Sequence, residues 1–130
     1  MPTGNLTVCF ATMVRDDDLF LRLWIAHYER LVPRDHLVIL IDGLDQTVPD
    51  FAEGCQVIRM PRPPFGKDWS GQRWSMLSDL NALLLNRFDV VVMNDVDEIL
   101  VVDPDREIGL LDAIGRAKEV GVISPFAVEL

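Results

Sequence analysis

The chain has few of the residues that build disulfide-bonded or zinc-bound frameworks. Only two of its 130 residues are cysteines, Cys9 and Cys55, and neither lies in a CxxC pair or a cluster with histidine. A disulfide framework and a structural zinc site are therefore not expected. No apolar run approaches the roughly 18 residues of a membrane span, and residues 1–5 lack the basic segment of a secretory signal. We therefore expect a reduced, soluble, cytoplasmic protein, and leave open its association with a membrane through a partner.

Positive charge is also scarce. Twelve Lys and Arg stand against 21 Asp and Glu, which gives a net charge of −9. Since binding to a nucleic-acid backbone requires a basic face, nucleic acid is not an expected partner. An anionic ligand would instead need a bound cation as intermediary. A Walker loop, a GxGxxG turn and a Ser/His/Asp arrangement are missing as well, which removes three common signatures of nucleotide-binding proteins and hydrolases.

The composition that remains is that of a folded domain. Hydrophobic residues make up 49% of the chain and charged residues 25%, which excludes intrinsic disorder. A chain of this length buries roughly two thirds of the surface of its unfolded state, enough for one core. We therefore treat residues 1–130 as a single domain.

Short apolar runs alternate with longer amphipathic ones along the chain. Residues 6–12, 37–41, 56–60, 90–93 and 120–124 are predicted strands, and residues 19–31, 70–86 and 108–119 are predicted helices, the second capped by Ser70. This alternation, with strands that are apolar throughout, predicts an α/β fold with a mostly parallel sheet that helices cover on both faces.

The helical spacing also predicts which side chains face the core. In the first helix they are Leu19, Phe20, Leu23, Trp24, His27 and Leu31; in the second they are Trp74, Leu77, Leu80, Leu84 and Leu85. The three tryptophans, Trp24, Trp69 and Trp74, are interpreted as packing residues. His27 is interpreted as a partly buried structural residue rather than a catalytic one.

Polar side chains follow the predicted strands. Ligands of parallel α/β sheets bind outside the carboxyl ends of the strands, so these positions are the candidates for a site. They are Thr12, Arg15 and Asp16 after the first strand, Asp42 and Asp45 after the second, Arg62 and Lys67 after the third, and Asn94, Asp95, Asp97 and Glu98 after the fourth.

The segment Asp95-Val96-Asp97-Glu98 is the sharpest of these features. In an extended segment, residues two apart project to the same side, so Asp95 and Asp97 could face one cation. Paired carboxylates favour a hard ion such as Mg²⁺ or Mn²⁺. The alternative is an acidic, solvated turn after a core strand.

Asp42 and the basic residues each have two interpretations. Asp42 could accept hydrogen bonds from a base or ribose at a strand tip, or it could bond the backbone of its own turn before Gly43. Arg15, Arg62, Lys67 and Arg73 could meet a diphosphate or an anionic acceptor, or be ordinary surface charges.

Four segments together resemble a known family. The residues are Ala11-Thr-Met-Val-Arg-Asp-Asp-Asp18, Leu23-Trp-Ile-Ala-His-Tyr28, His36-Leu-Val-Ile-Leu-Ile-Asp42 and Phe88-Asp-Val-Val-Val-Met-Asn-Asp-Val-Asp-Glu-Ile-Leu100. In order and spacing they resemble family-2-like glycosyltransferases with the A-type fold, and the DVDE segment is the most specific part. The resemblance implies a Rossmann-like, three-layer α/β/α fold of which this chain holds the N-terminal, nucleotide-binding half.

The resemblance also implies roles for individual residues. Asp95 and Asp97 match the DxD motif, which holds Mn²⁺ or Mg²⁺ against the diphosphate of a nucleotide-sugar. Asp42 matches the strand-end acid that contacts the base or ribose, and Thr12 to Arg15 match the first nucleotide-contacting loop. Asp45, which follows the second strand, is also assigned to the nucleotide site, although Gly43-Leu44-Asp45 replaces the family's usual pattern at this turn.

Several points stay open at this stage. The family's acceptor site and catalytic base lie in a second half beyond Leu130, so no catalytic residue is assigned; Glu98 and Glu129 are candidates by position only. The acceptor could be a saccharide, a lipid or a protein, and the chain could form a homo-oligomer. The alternatives to a glycosyltransferase are a non-catalytic α/β interaction module of the same fold, and a metal-dependent phosphohydrolase or Toprim-like enzyme.

Overall fold

The computed structural model describes residues 6–63, 69–102 and 109–120. The chain divides into two compact units, residues 7–99 and residues 1–6 with 100–130. The first unit contains β1 (Val8–Val14), α1 (Asp18–Tyr28), β2 (Leu37–Asp42), β3 (Gln56–Met60), α2 (Trp69–Leu84) and β4 (Val90–Met93). In the second unit the described helix is α3 (Leu110–Val120).

The four strands form one parallel sheet in the order β3-β2-β1-β4. This confirms the prediction of an α/β fold with a parallel sheet. The chain adds β2 and β3 on one side of β1 and then places β4 on the other side. The direction of winding therefore reverses between β1 and β4, which is where parallel α/β sheets open a crevice for a ligand.

Alternate residues of β1 show which helix covers which face of the sheet. The ring of Phe10 stacks on that of Tyr28 in α1, with centroids 4.1 Å apart. Its neighbours Cys9 and Ala11 pack in one cluster with Leu80 of α2. Since successive side chains of a strand point to opposite faces, α1 covers one face and α2 the other.

The buried face of α1 differs from the predicted one. The buried residues are Leu21, Trp24, Ile25 and Tyr28, whereas Leu19, Phe20 and Leu23 are exposed. The prediction was therefore right for Trp24 and for the partly buried His27, and wrong for those three residues. Both sets follow helical spacing, and the aromatic partner Phe10 beneath the helix decides between them.

The prediction for α2 was right in part. Leu77, Leu80 and Leu84 lie against the sheet, but Trp74 is 67% exposed and Leu85 lies beyond the helix with its side chain exposed. Ser70 is the second residue of the helix rather than its cap. The side chain of Trp69 lies outside the part that the structure describes.

The remaining differences concern the strands. β1 runs from Val8 to Val14 rather than over residues 6–12, so Thr12 lies inside the strand and not after it. Both central strands are buried along their whole length, but β3 is largely exposed, so coverage on both faces holds only for the centre of the sheet. Residue 120 ends α3, and residues 121–124 of the predicted fifth strand lie outside the described residues.

None of the helices in the described ranges is both long enough and apolar enough to cross a bilayer.

Candidate functional site

The carboxyl ends of β1, β2 and β4 lie side by side in the parallel sheet, which brings most of the predicted positions to one edge. At the boundary between β1 and β4, the Thr12 hydroxyl donates a hydrogen bond of 2.9 Å to the backbone carbonyl of Asn94. Thr12 and Asp42 are the buried polar residues of the described core, with exposed fractions of 1% and 4%. A buried carboxylate and a buried hydroxyl therefore lie in adjacent strands, at the edge where a ligand would enter.

Asp42 is the last residue of β2, and a basic residue compensates its buried carboxylate. The Nε atom of Arg62 lies 3.5 Å from Oδ2 of Asp42. The turn that follows is fixed by the Gly43 N–H, which donates to the carbonyl of Met60 at 2.8 Å. Within the described residues the carboxylate accepts no hydrogen bond from its own turn, so the interpretation of Asp42 as a self-bonded turn residue is wrong.

Arg15 and Asp45 are bound to each other. Nη1 and Nη2 of Arg15 donate to the two carboxylate oxygens of Asp45 at 2.9 and 2.8 Å, and Nη1 also donates to the carbonyl of Asp42 at 2.7 Å. This bidentate pair holds the pKa of Asp45 down to about 2 and raises the pKa of Arg15. Both residues were predicted to contact the nucleotide, which stays a prediction; the geometry gives them the further task of fixing the turn beside Asp42.

A second pair of hydrogen bonds joins the loop after β1 to the loop after β2. The Asp16 N–H donates to Oε1 of Gln46, and Nε2 of Gln46 donates back to Oδ1 of Asp16, both at 3.0 Å. Gly43 has a φ of +120°, and a Cβ atom there would collide with Nη1 of Arg15 and Oδ1 of Asp45. The turn after β2 thus requires glycine for its backbone angle, and a Cβ atom there would also displace the paired ends of the Arg15 and Asp45 side chains. Together these contacts lock the loop after β1 onto the loop after β2.

A hollow of about 390 Å³ lies beside these loops. Its lining residues are Asp16, Asp18, Asp45, Gln46 and Thr47. Three of the five carry carboxylates and none is basic, so an anionic ligand would be repelled here unless a cation came with it.

The segment after β4 is a turn and not an extended continuation of the strand. The Glu98 N–H donates to the carbonyl of Asp95 at 2.9 Å, which closes the turn over Val96 and Asp97. Val96 is buried, Asp95 is partly exposed and Asp97 is exposed. The argument that Asp95 and Asp97 share a side because the segment is extended was therefore wrong, and any approach of the two carboxylates to one ion depends on the turn.

Asn94 connects this turn to the core. Its Nδ2 atom donates to the Tyr28 hydroxyl at 3.0 Å and to the carbonyl of Glu98, while its Oδ1 atom accepts a long bond of 3.4 Å from the indole of Trp24. The turn that carries Asp95 is thereby tied to two buried aromatic residues of α1. Asn94 follows the fourth predicted strand, but this role was not predicted, because no spacing in the sequence signals it.

Arg73 is the partner of Asp95. Nη2 of Arg73, in the first turns of α2, lies 2.7 Å from Oδ1 of Asp95, and both side chains are partly exposed. Asp97, by contrast, makes no hydrogen bond or ion pair with any described residue. One carboxylate of the turn is therefore neutralised within the protein, and the other is left to solvent or to a ligand.

The prediction that Asp95 and Asp97 hold a metal ion stays a prediction. Among the described residues there is no group of three or more His, Cys, Asp and Glu side chains that could enclose an ion. Mg²⁺, however, commonly takes one or two protein carboxylates and completes its shell with water and substrate phosphates. A site shared with a phosphate ligand would therefore need fewer protein carboxylates than an ion held by the protein alone.

The catalytic residue remains unassigned. The side chain of Glu98 is exposed, and Glu129 and Lys67 lie outside the described residues.

The chain was also compared with protein-family models, with curated proteins and with solved structures, and none of the three comparisons gives a match.

Proposed function

We propose that the chain is the donor-binding part of a metal-dependent glycosyltransferase with a Rossmann-like, A-type fold. It would transfer a sugar from a nucleotide-diphosphate sugar to a saccharide, lipid or protein acceptor. The observation that carries the proposal is the placement of Asp42 and the Asp95 turn at one edge of a parallel sheet, on the two sides of β1. The order of the resembling segments along the chain adds to it.

Each end of this edge suits a different part of the donor. Asp42 offers a nearly buried carboxylate, which can accept hydrogen bonds from a base or ribose while Arg15 fixes the turn behind it. Asp95 and Asp97 offer the oxygen ligands for Mn²⁺ or Mg²⁺ and the donor's diphosphate. A bound ion would neutralise negative charge on the departing nucleoside diphosphate. The need for a cation also agrees with the net charge of −9.

Titration calorimetry with UDP, GDP and their sugars, in the presence and absence of Mn²⁺, tests the proposal. We expect binding that requires the ion and weakens about tenfold or more in Asp97→Asn, the loss of one charged interaction of about 1.5 kcal/mol. Asp79→Asn is the matched control, because it removes the same charge from an exposed side chain on α2. Failure of every nucleotide to bind, or binding that ignores both Mn²⁺ and Asp97→Asn, would contradict the proposal.

A non-catalytic interaction module of the same fold is the second candidate. The observation in its favour is the apolar surface of α1, where Leu19 is 66% and Leu23 is 47% exposed. Under this alternative we expect the chain to self-associate through α1, and Leu23→Ser to weaken that association in sedimentation experiments. A strictly monomeric chain with measurable sugar transfer would exclude it.

A further inference from the structure

We propose that Arg73 is an internal counter-ion for Asp95, so that the free protein binds a divalent cation weakly and binds it well only together with a nucleoside diphosphate. The inference rests on the proposed function, since it concerns the same metal site. In this proposal Arg73 couples the binding of the divalent cation to the binding of the nucleoside diphosphate.

The contact between the two side chains is close and partly shielded. Nη2 of Arg73 lies 2.7 Å from Oδ1 of Asp95, and the side chains are 26% and 48% exposed. Arg73 lies on α2, whose residues Leu77 and Leu80 pack on the sheet, so the guanidinium starts from a fixed backbone. Asp95 is held from the other side by the closed turn to Glu98. Neither group needs a rearrangement of the backbone to keep the pair.

The Arg73–Asp95 pair lowers the affinity for a divalent cation when no nucleoside diphosphate is bound. A divalent ion at Asp95 would stand within a few ångströms of the Arg73 guanidinium, and like charges at such distances disfavour each other. Asp95 would also have to give up a charge-assisted hydrogen bond. Asp97 has no internal cation, but one exposed carboxylate is a poor site by itself.

A diphosphate removes this conflict. Its oxygens offer the Arg73 guanidinium a new planar partner of the kind that arginine prefers, while they complete the coordination of the ion. Arg73 thereby exchanges a carboxylate for a phosphate, and Asp95 becomes available to the cation. By thermodynamic linkage, the diphosphate raises the affinity for the ion by the same factor as the ion raises the affinity for the diphosphate.

The test compares Mn²⁺ binding to the full chain, with and without UDP, by the electron paramagnetic resonance signal of free Mn²⁺. We expect Arg73→Gln to bind Mn²⁺ alone about fivefold more tightly than the original chain, because a competing ion pair of this exposure has been removed. UDP should strengthen Mn²⁺ binding strongly in the original chain and at least about fivefold less in the variant. Arg73→Lys keeps the charge and should lie between the two.

Arg87→Gln is the matched control, since it removes the same charge from an exposed side chain beyond the end of α2. It should leave both affinities unchanged. If Arg73→Gln weakens Mn²⁺ binding or leaves the effect of UDP intact, Arg73 orients Asp95 for the ion and the inference is overturned while the proposed function stands. If no chain binds Mn²⁺ even with UDP, the proposed function itself fails. Should Arg73→Gln lose its circular dichroism, Arg73→Lys decides by the same two comparisons.

Discussion

Asn94→Ala tests whether the turn that carries Asp95 and Asp97 is held by the core. The substitution removes the acceptor of the Trp24 indole and the donor to the Tyr28 hydroxyl and the Glu98 carbonyl. Each lost bond to a donor or acceptor costs about 0.5–1.5 kcal/mol net. The indole of Trp24, a residue with 0% exposure, would be stranded without a partner at a cost of about 1–3 kcal/mol. The lower bounds of these terms add to about 2 kcal/mol, so we expect a loss of at least about 2 kcal/mol in the free energy of unfolding, a large share of the usual total.

The assay is urea unfolding followed by far-ultraviolet circular dichroism, with the free energy taken by linear extrapolation. Asn86→Ala is the matched control, because Nδ2 of Asn86 also donates two hydrogen bonds, to the carbonyls of Ala82 and Leu83, but on an exposed surface. Its cost should be about 0.5 kcal/mol. If Asn94→Ala costs no more than Asn86→Ala, the bonds of Asn94 do not hold the turn and the reasoning is refuted.

Three further predictions concern the loops and the thiols. The pKa of Asp45 in the folded chain lies below its unfolded value of 3.8, so stabilisation by the Arg15–Asp45 pair should be present above pH 3.8 and be lost as the pH falls toward about 2. A carbon-detected titration should show the lowered pKa of Asp45, and Arg15→Gln should return that pKa to its usual range. Burial raises the pKa of Cys9 to about 12 and also raises the pKa of the half-buried Cys55, so at about pH 8 a thiol reagent should leave Cys9 unmodified in the folded chain and react slowly at Cys55. Gly43→Ala should lower stability by about 1–3 kcal/mol, measured by thermal unfolding, because of its φ and the lack of space for a Cβ atom.

Gly54→Ala separates the two causes of the Gly43 effect. Gly54 has a φ of +90°, but a Cβ atom there would meet only Cδ and Cβ of Arg34 at 3.4 and 3.5 Å. Its cost should therefore reflect backbone strain alone and be smaller. Equal costs for the two variants would show that the crowding by Arg15 and Asp45 adds nothing. Rapid modification of both cysteines in the folded chain, or an Asp45 pKa near 4, would contradict the other two predictions.

The strands were predictable because their signal is local. The bounds of the third and fourth predicted strands agree with β3 and β4, and the second ends one residue before β2 does. Each is a short run, rich in apolar residues, that ends at a turn or loop, and such a run can be recognised without knowledge of its neighbours. For β1 with β2 and for β3 with β4, the parallel direction follows from α1 and α2, which return the chain to the same end of the sheet. Residues 43–55, which join β2 to β3, contain no α-helix, so their parallel pairing did not follow from a predicted helix. The carboxyl edge of the sheet, and hence the region of the candidate site, could be predicted on the same grounds.

The buried face of α1 could not be predicted from the local sequence, because the helix carries two apolar stripes. Phe20 and Leu23 belong to the stripe that is exposed. Leu21, Trp24 and Ile25 belong to the stripe that is buried. Periodicity alone gives both the correct spacing. What buries the second stripe is tertiary, namely the stacking of Tyr28 on Phe10 and the bonds of Trp24 and Tyr28 to Asn94.

The pairing of arginines with the carboxylates of the candidate site also depends on tertiary structure. Arg62 approaches Asp42, and Arg73 approaches Asp95 across 22 positions of the sequence, so no local pattern pairs them. The DVDE segment alone suggests two unpaired carboxylates that need a cation. The folded chain supplies one of them with a guanidinium, which changes the meaning of the motif. Asp95 thus already has a basic partner from α2, and a DxD match at the end of a strand is incomplete as evidence for a metal site until the basic residues that the fold brings to it are known.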